Sequence, residues 1–430
     1  MNHPTSDRHQ SPSEQRALEA IDTSAIIDDL LSLMAVPSVS GSSAEADIQH
    51  TLAKRMQLLG TDVDLWRMDV PTLMAAPAFP GVEVTRDEAW GLVAATHERT
   101  QRPALILQGH VDVVPPGSLD EWSLDPFSPV VRGDRVHGRG ACDMKAGLVA
   151  NIAAVQALAR ARITLRDPLA MHFVIGEEDG GLGAFGTLAR GHTGDACIIT
   201  EPTSGTVTTA NAGALTFEIR VPGRATHAST AYEGVSAIDA YIGIHHALAE
   251  LQVRRNQSVD PLMREYPIAY PISVGTLRAG DWASSVPDLL VCEGRLGLRL
   301  DEDPAEARRE LEECVRGTAA QHPFLRDHPP LVTWPGGQYA SGRTSIPGSR
   351  LVATVQEAHA AATGRARPRE RGAPYGSDLR LYEQAGVPTM HYGPGDVRLA
   401  HSPRESVAVT EVVEVTRALV LTILRVCGTA

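Results

Sequence analysis

The sequence predicts an α/β protein in which a doubly wound domain with a mostly parallel sheet is interrupted by an inserted α+β domain. Three observations support this prediction. Strand-like and helix-like runs alternate over residues 21–208, longer alternating strands follow over residues 209–338, and the first style returns over residues 339–430. A chain of 430 residues is also too long for one ordinary core. Residues 1–20 are expected to form a disordered tail.

In the first part of the large domain, apolar residues recur at helical spacing over residues 17–34 and 44–59, and an Ala-rich helix is expected at 144–159. Short apolar runs predict strands at residues 61–66, 91–95, 104–108, 169–175 and 196–200. Sheets of this kind bind ligands at the carboxyl ends of their strands. We therefore expect functional residues directly after the apolar runs.

The inserted domain has a pattern of its own. Strands are expected at residues 214–221, 271–277, 289–300 and 331–334, and helices at 235–253 and 304–320. The resulting order, βαββαβ, is a compact unit by itself. The large domain then resumes, with helices expected at residues 351–363, 378–385 and 410–426 and a strand at 389–392.

The composition excludes several classes of partner. The chain carries 39 basic and 52 acidic side chains, and its net charge of −13 leaves no surplus of positive charge for nucleic acid or an anionic membrane. No apolar run reaches the roughly 18 residues of a membrane span. The five cysteines are widely spaced and include no Cys-x-x-Cys pair, which favours a cytoplasmic protein without disulfides.

A histidine and an aspartate follow the third predicted strand as His110-Val-Asp112. In an extended chain these two side chains point the same way, which suits a metal ligand oriented by a carboxylate. Taken alone, the pair is more typical of an ordinary loop histidine. Asp143 precedes the Ala-rich helix, where it could also be a helix N-cap, and Cys142 beside it is expected to be a small packed residue.

Acidic residues follow two more of the predicted strands. Glu177, Glu178 and Asp179 come directly after the fourth strand, and Glu201 comes after the fifth. Three adjacent acids repel one another unless a cation neutralises them or one is protonated, although a solvated acidic turn is the simpler interpretation. His401 follows a loop rich in Gly and Pro and is, by itself, typical of a surface histidine.

Considered together, these residues favour a metal centre. Two histidines and several carboxylates fall after strands of one predicted sheet. Mixed nitrogen and oxygen ligands suit zinc, with cobalt or manganese as alternatives. Such a set can hold two divalent ions that share one carboxylate, and paired ions activate a water molecule for hydrolysis.

The motifs that carry these residues resemble the M20 metallopeptidase family. They are His110-Val-Asp112, Gly138-Arg-Gly-Ala-Cys-Asp-Met-Lys-Ala-Gly147, Glu177-Glu178, Glu201-Pro202, and Gly393-Pro-Gly395 with His401. The family includes acetylornithine deacetylase, succinyl-diaminopimelate desuccinylase, aminoacylase and glutamate carboxypeptidase. The resemblance covers residues 26–426, and it implies a catalytic domain with an inserted lid domain through which two copies form a homodimer.

The resemblance also implies roles for the individual residues. It assigns the metal ligands in two sets that share one aspartate: His110, Asp143 and Glu201, and Asp143, Glu178 and His401. Asp112 would orient His110. Glu177 would be the general base that takes a proton from the attacking water and passes it to the leaving amine.

The inserted domain carries one further candidate. Gly223-Arg-Ala-Thr-His227-Ala-Ser229 resembles the lid motif of the family, whose histidine reaches into the active site of the partner protomer. His227 would there stabilise the negative oxygen that develops during the reaction. Without the resemblance, His227 is typical of an ordinary turn histidine.

The sequence departs from the family where many relatives bind the carboxylate of the substrate. Ser284 stands in place of an asparagine, and Gly297 stands where those relatives have an arginine. A doubly anionic succinyl substrate is therefore disfavoured. Residues that could contact the substrate instead are Arg295, Arg299, Arg343, Ser377 and Arg380.

The predicted function is that of a dinuclear metal-dependent hydrolase that cleaves the amide bond of a small N-acyl amino acid, in the manner of acetylornithine deacetylase. The alternative is a dipeptidase or carboxypeptidase on the same scaffold, which would act on a peptide. A third interpretation is a non-catalytic member that binds a ligand in the pocket, but the complete ligand set argues against it.

Overall fold

The structure is a computed structural model that describes residues 10–98, 100–344 and 350–430. Its helices are α1 (Pro12–Glu19), α2 (Thr23–Met34), α3 (Ala44–Leu58), α4 (Val70–Met74), α5 (Ala146–Arg160), α6 (Leu182–Ala189), α7 (Ala237–Arg255), α8 (Pro304–Ala319), α9 (Arg350–Thr363), α10 (Leu379–Gln384) and α11 (Val409–Cys427). None of these helices is long and apolar enough to cross a membrane.

The strands form three sheets. In chain order they are β1 (Asp62–Arg67), β2 (Trp90–Ala95), β3 (Leu105–His110), β4 (Val130–Arg132), β5 (Arg135–His137), β6 (Leu169–Val174), β7 (Cys197–Ile199), β8 (Val207–Asn211), β9 (Gly213–Pro222), β10 (Ile272–Ala279), β11 (Leu289–Leu298), β12 (Leu331–Thr333), β13 (Gln338–Tyr339), β14 (Gly342–Arg343), β15 (Glu370–Ala373), β16 (Thr389–His391) and β17 (Ser406–Ala408). Strands β4, β5 and β17 form the smallest sheet.

The large domain is built on a sheet with the strand order β1-β2-β6-β3-β7-β16-β8-β14, and β15 also pairs with β8. Strands β6, β3, β7 and β16 lie side by side and run parallel. All of their residues are buried, as expected for parallel strands that are covered on both faces. The carboxyl ends of these four strands therefore meet at one edge of the sheet.

Helices cover both faces of this sheet. Successive side chains of β3 point to opposite faces, so that Leu107 packs in one hydrophobic core and Ile106 in another. The first core contains α5 and α11, with Leu148 and Leu419 buried in it. The second contains residues of α6 and α10, such as Leu379. The predicted doubly wound arrangement is thus confirmed.

The inserted domain contains an antiparallel sheet with the order β10-β11-β9-β12, and β13 also pairs with β9. Helices α7 and α8 pack together, and their apolar faces join those of the sheet in a separate core that includes Phe217, Leu248 and Leu311. The chain order β9-α7-β10-β11-α8-β12 is the predicted βαββαβ order. An α+β domain inserted in an α/β domain is therefore confirmed.

The helix predicted over residues 17–34 is two helices, α1 and α2. The chain turns at Ala20, and the Asp22 side chain caps α2 by accepting a hydrogen bond of 3.0 Å from the backbone N–H of Ala25. The prediction missed this break because the apolar spacing continues across it.

The disordered tail predicted for residues 1–20 is wrong in its second half, where α1 forms. This helix begins with a capping box, and its Glu14 carboxylate accepts a hydrogen bond of 2.8 Å from Arg425. Ala17 is fully buried in the large core, so tertiary packing stabilises the helix. Residues 1–9 lie outside the described residues.

Candidate metal centre

Three neighbouring parallel strands bring a histidine and acidic residues to the same edge of the large sheet. His110 is the last residue of β3, Glu177 and Glu178 follow β6, and Glu201 follows β7. Ligand atoms of His110, Glu177 and Glu201 lie within 4.8 Å of one another, and so do those of His110, Asp143 and Glu178. The fold therefore gathers residues that are far apart in the sequence.

Asp143 lies between the two histidines. It belongs to a tight turn over Ala141–Lys145 that precedes α5, and the peptide bond after it is cis. Its Oδ1 is 3.1 Å from Nε2 of His110, and its Oδ2 is 3.4 Å from Nε2 of His401. Nε2 of His401 is in turn 3.1 Å from Oε2 of Glu178. One carboxylate thus offers an oxygen to each of two imidazoles, as a bridging ligand does.

Asp112 is fully buried behind His110 and holds the acidic turn. Its two carboxylate oxygens accept hydrogen bonds from the backbone N–H groups of Glu177 and Glu178, both at 3.2 Å. The hydroxyl of Ser40 also donates to it at 2.8 Å. Nδ1 of His110 is 2.9 Å from the backbone oxygen of Asp112 and 3.6 Å from its Oδ1. Asp112 therefore orients both the imidazole and the acidic turn.

The acidic groups of the cluster are held close together with little solvent around them. Burial raises the pKa values of Glu177, Glu178 and Glu201, and neighbouring carboxylates raise them further. Burial acts on Asp143 as well, but hydrogen bonds with the two histidines outweigh it and hold the pKa of that carboxyl below its usual value. The negative charge of Glu178 raises the pKa of His401 to about 11. These shifts are typical of charged groups that compete for a cation.

The donor set fits divalent cations. Imidazole nitrogens and carboxylate oxygens within a few ångströms of each other suit zinc, cobalt or manganese. Acidic side chains this close together repel one another when ionised, and a bound cation removes that repulsion. The residues present therefore fit a centre for divalent ions.

Glu405 supports the turn that carries Asp143, and the sequence analysis did not single it out. One of its oxygens accepts hydrogen bonds from the backbone N–H groups of Cys142 and Asp143 at 3.1 and 3.2 Å. The other accepts a hydrogen bond of 2.6 Å from the buried guanidinium of Arg139. In the sequence, Arg139 lies four residues before Asp143, and Glu405 lies four residues after His401. These opposite charges beside two proposed ligands could have indicated the pair.

The third acid of the trio, Asp179, has a different partner from the other two. Nη1 of Arg86 lies 2.8 Å from Asp179, and Nε of the same guanidinium lies 2.9 Å from Glu45. All three side chains are almost completely buried. Glu45 also accepts a hydrogen bond from the backbone N–H of Gly176 at 3.2 Å. This ion-paired group therefore also holds the acidic turn, and no local pattern in the sequence indicates it.

Tyr339 connects the inserted domain to the acidic turn. Its backbone pairs with Ala214 of β9, in the small sheet. Its hydroxyl donates a hydrogen bond of 2.5 Å to the backbone oxygen of Glu177. The guanidinium of Arg380 lies over its ring at 4.3 Å from the ring centre. The peptide groups on both sides of Glu177 are thus held, one by Asp112 and the other by Tyr339.

Four residues suggested as substrate contacts have acidic or backbone partners within the chain. Three are arginines in ion pairs, namely Arg295–Glu83 at 2.6 Å, Arg299–Glu302 at 3.3 Å and Arg343–Asp260 at 2.8 Å. The fourth, Arg380, is buried and donates to the backbone oxygens of Ser377 and Gly180 at 2.6 and 2.7 Å. The hydroxyl of Ser377, the fifth suggested contact, lies 2.9 Å from Nε2 of His391.

His227 lies apart from the cluster, on the surface of the inserted domain. Its Nδ1 is 2.7 Å from the hydroxyl of Ser229, and its backbone forms a bridge with Ser285. In the part of the chain that the structure describes, its hydrogen bonds are to neighbours within the insert. The structure therefore brings seven of the eight candidate catalytic and metal-binding residues together and leaves His227 exposed on the surface.

Comparisons with known proteins place this geometry in context. Residues 106–425 match the family described as Peptidase family M20/M25/M40. An N-formyl-4-amino-5-aminomethyl-2-methylpyrimidine deformylase of Halalkalibacterium halodurans is 28% identical over 418 residues, covering 92% of each chain. A succinyl-diaminopimelate desuccinylase of Stenotrophomonas maltophilia is 28% identical over 400 residues, covering 90% of this chain and 95% of the relative. Among solved structures, the dipeptidase Dug1p of Saccharomyces cerevisiae has a TM-score of 0.77 at 14% identity, covering 97% of this chain and 99% of that chain.

Proposed function

Since the chain belongs to Peptidase family M20/M25/M40 and is therefore a hydrolase of amide bonds, we propose that it removes the acyl group of a small N-acylated amine with the help of two divalent ions. The observation that carries this proposal is the position of Asp143, whose two oxygens face different imidazoles. Two ions held side by side by one carboxylate are the arrangement that such geometry suits.

We assign the ligands to the two ions as follows: His110, Asp143 and Glu201 for the first, and Asp143, Glu178 and His401 for the second. Zinc is the expected metal, with cobalt or manganese as alternatives, because the donors are imidazole and carboxylate. When bound, such ions polarise the substrate carbonyl and lower the pKa of water.

We assign proton transfer to Glu177. Hydrogen bonds to Asp112 and from Tyr339 hold its backbone, so its position is fixed without a metal–ligand bond. Burial raises its pKa, which makes the carboxylate a stronger base. Glu177 takes a proton from the attacking water and delivers it to the nitrogen of the leaving amine.

Two classes of substrate are compatible with this chemistry. The first is the small N-acyl amino acid predicted from the sequence, with a dipeptide or peptide as the alternative on the same scaffold. The second is suggested by the relative that is named as the deformylase of an N-formyl aminomethylpyrimidine, in which the acylated nitrogen is not part of an amino acid. In both classes the bond that breaks joins an acyl carbon to an amine nitrogen.

Removal of the metal is expected to abolish hydrolysis. The test is a panel of N-acetyl and N-formyl amino acids, N-acyl amines and dipeptides, assayed before and after dialysis against a chelator, with mass-spectrometric detection of products. Zinc, cobalt or manganese should restore the lost activity. The proposal is wrong if the metal-loaded chain hydrolyses none of these compounds, or if the chelator leaves the rate unchanged.

We further propose that the chain forms a homodimer through the inserted domain, taken as residues 209–338. Ile238 and Ile242 are about half exposed and lie one turn apart on α7. Strand β10 is an edge strand of the small sheet, and all of its residues are partly or fully exposed. An apolar helix face and an open strand edge together form a surface that a second copy would cover. In such a dimer the exposed His227 serves the active site of the partner.

Complementation between inactive variants tests the role of His227. His227→Ala and Glu177→Ala are each expected to lower kcat by about a hundredfold or more. In a mixed dimer of the two variants, one site regains both groups if His227 acts on the partner protomer, so activity returns to about half of the wild-type value. Co-expression with two affinity tags isolates the mixed dimer. An inactive mixed dimer would contradict the assignment.

A cytoplasmic location is part of the proposal. All five cysteines are free, and four of them are buried. Proteins that act in an oxidising compartment commonly use such residues in disulfides. The free thiols therefore support a reducing environment.

A further inference from the structure

We propose that the amine released by this hydrolase carries no carboxylate, so that the substrate is an N-acylated amine or amino acid amide rather than an N-acyl amino acid. This inference rests on the proposed function and narrows its substrate class to acylated amines without a carboxylate, which include the second of the two candidates. It is drawn from the placement of positive charge around the acidic centre.

Gly297 stands where many relatives of the family have an arginine, and the structure has no space for a side chain at this position. A Cβ atom at this position would lie 2.9 Å from both the backbone nitrogen and the backbone oxygen of Pro271. The N–H of Gly297 donates to the Pro271 oxygen at 2.7 Å, and its carbonyl accepts a hydrogen bond of 2.9 Å from the buried Arg255. The backbone is thus fixed on both sides, and packing rather than chance excludes a side chain here.

Two arginines near the acidic turn, Arg380 and Arg295, already have hydrogen-bond partners within the chain. Arg380 is only 2% exposed, and both of its terminal nitrogens donate to backbone oxygens while its guanidinium lies over the Tyr339 ring. Arg295 donates to Glu83, which also accepts from the backbone N–H of Gly337. To bind a substrate carboxylate, Arg380 would have to leave two backbone oxygens unpaired in a buried region. Arg295 would have to leave Glu83, in an ion pair that is about one-third exposed.

Other cations near the centre are committed in the same way. Arg86 and Arg139 form buried ion pairs with acidic side chains. The sequence contains two lysines, of which Lys54 lies on the exposed face of α3. Lys145 is fully buried, and its Nζ donates to the backbone oxygens of two residues at 2.9 and 2.8 Å. Arg86, Arg139 and Lys145 therefore all have partners within the chain.

Negative charge, in contrast, is abundant at this edge of the sheet. Four carboxylates form the cluster and two more are fully buried close to it: Asp143, Glu177, Glu178 and Glu201, with Asp112 and Asp378. Even with two divalent ions bound, carboxylate oxygens would still surround the centre, and they would oppose the approach of an anion. A neutral or cationic amine is not repelled by these carboxylates. The geometry therefore selects against a carboxylate on the amine side.

The experiment compares substrates with and without a carboxylate on the amine side. Metal-loaded enzyme is assayed with N-acetyl-L-phenylalanine, its primary carboxamide and N-acetylphenethylamine, and with the three N-formyl counterparts. The value of kcat/KM for the two uncharged compounds should exceed that for the acid by about tenfold or more, since like charges at a binding surface oppose association. Calorimetric titration of metal-loaded Glu177→Ala with the same compounds provides a readout independent of turnover, and the acid should bind most weakly.

The outcomes separate the inference from the proposed function. A kcat/KM for the acid that equals or exceeds that of the carboxamide, with matching affinities for Glu177→Ala, overturns the inference and leaves the amidohydrolase assignment intact. Hydrolysis of neither this series nor the wider panel by metal-loaded enzyme contradicts the proposed function, and the inference falls with it.

Discussion

Replacing Glu177 with alanine is expected to lower kcat about a thousandfold while the metal content stays unchanged, because a positioned acid–base group contributes about 10²–10⁴ in rate. The backbone of the acidic turn is held independently by Asp112 and Tyr339, so loss of the side chain leaves the turn in place. The measurements are steady-state kinetics on a substrate from the panel and metal content by plasma mass spectrometry.

Two further variants sharpen this experiment. Glu177→Gln keeps the shape of the side chain but cannot accept the proton, and it should be as inactive as the alanine variant. Glu121→Gln removes an exposed carboxylate from a surface loop and should leave kcat unchanged. Retained activity in Glu177→Gln would show that the carboxylate does not act as the base, and loss of metal would instead make Glu177 a ligand.

Removal of a ligand is expected to have graded effects on metal content. Asp143→Asn should lower the content from about two ions per chain to well below one, because its oxygens face both imidazoles. His401→Ala should leave about one ion, since the ligands of the first set remain. Turnover should be lost in both variants. The ions are counted by plasma mass spectrometry after gel filtration.

The control for this pair is His245→Ala, which removes an exposed imidazole from α7 in the inserted domain. Its metal content should equal that of the wild type. An equal loss of metal from Asp143→Asn and His401→Ala would contradict the assignment of Asp143 as the shared ligand.

The sequence was informative where local patterns determine the structure. Buried parallel strands leave long apolar runs, and the polar residues that follow them meet because parallel strands end at one edge. His110, Glu177 and Glu201 could therefore be grouped before the structure was known. The alternating strands of the insert were equally clear, because each has one face on its core and one outside.

Contacts between distant segments could not be predicted in this way. The ion-paired group of Arg86, Glu45 and Asp179 joins residues separated by 41 and 93 positions, and no periodicity records such a pairing. No pattern in the sequence indicated, either, that the arginines suggested as substrate contacts have partners within the chain. In the structure, for example, Arg380 is buried with its guanidinium over the Tyr339 ring. The short strands β4, β5 and β17 are too brief to leave a hydrophobic pattern and are stabilised by pairing with one another.

Tyr339 links the inserted domain to the backbone of Glu177 in the large domain. Its backbone pairs with β9 of the insert, whereas its hydroxyl donates a hydrogen bond to the carbonyl of Glu177. A rotation of the insert that shifted Tyr339 would either break this hydrogen bond or move the backbone of Glu177. The alignment of Glu177 is thus coupled to the orientation of the insert through this phenol hydroxyl.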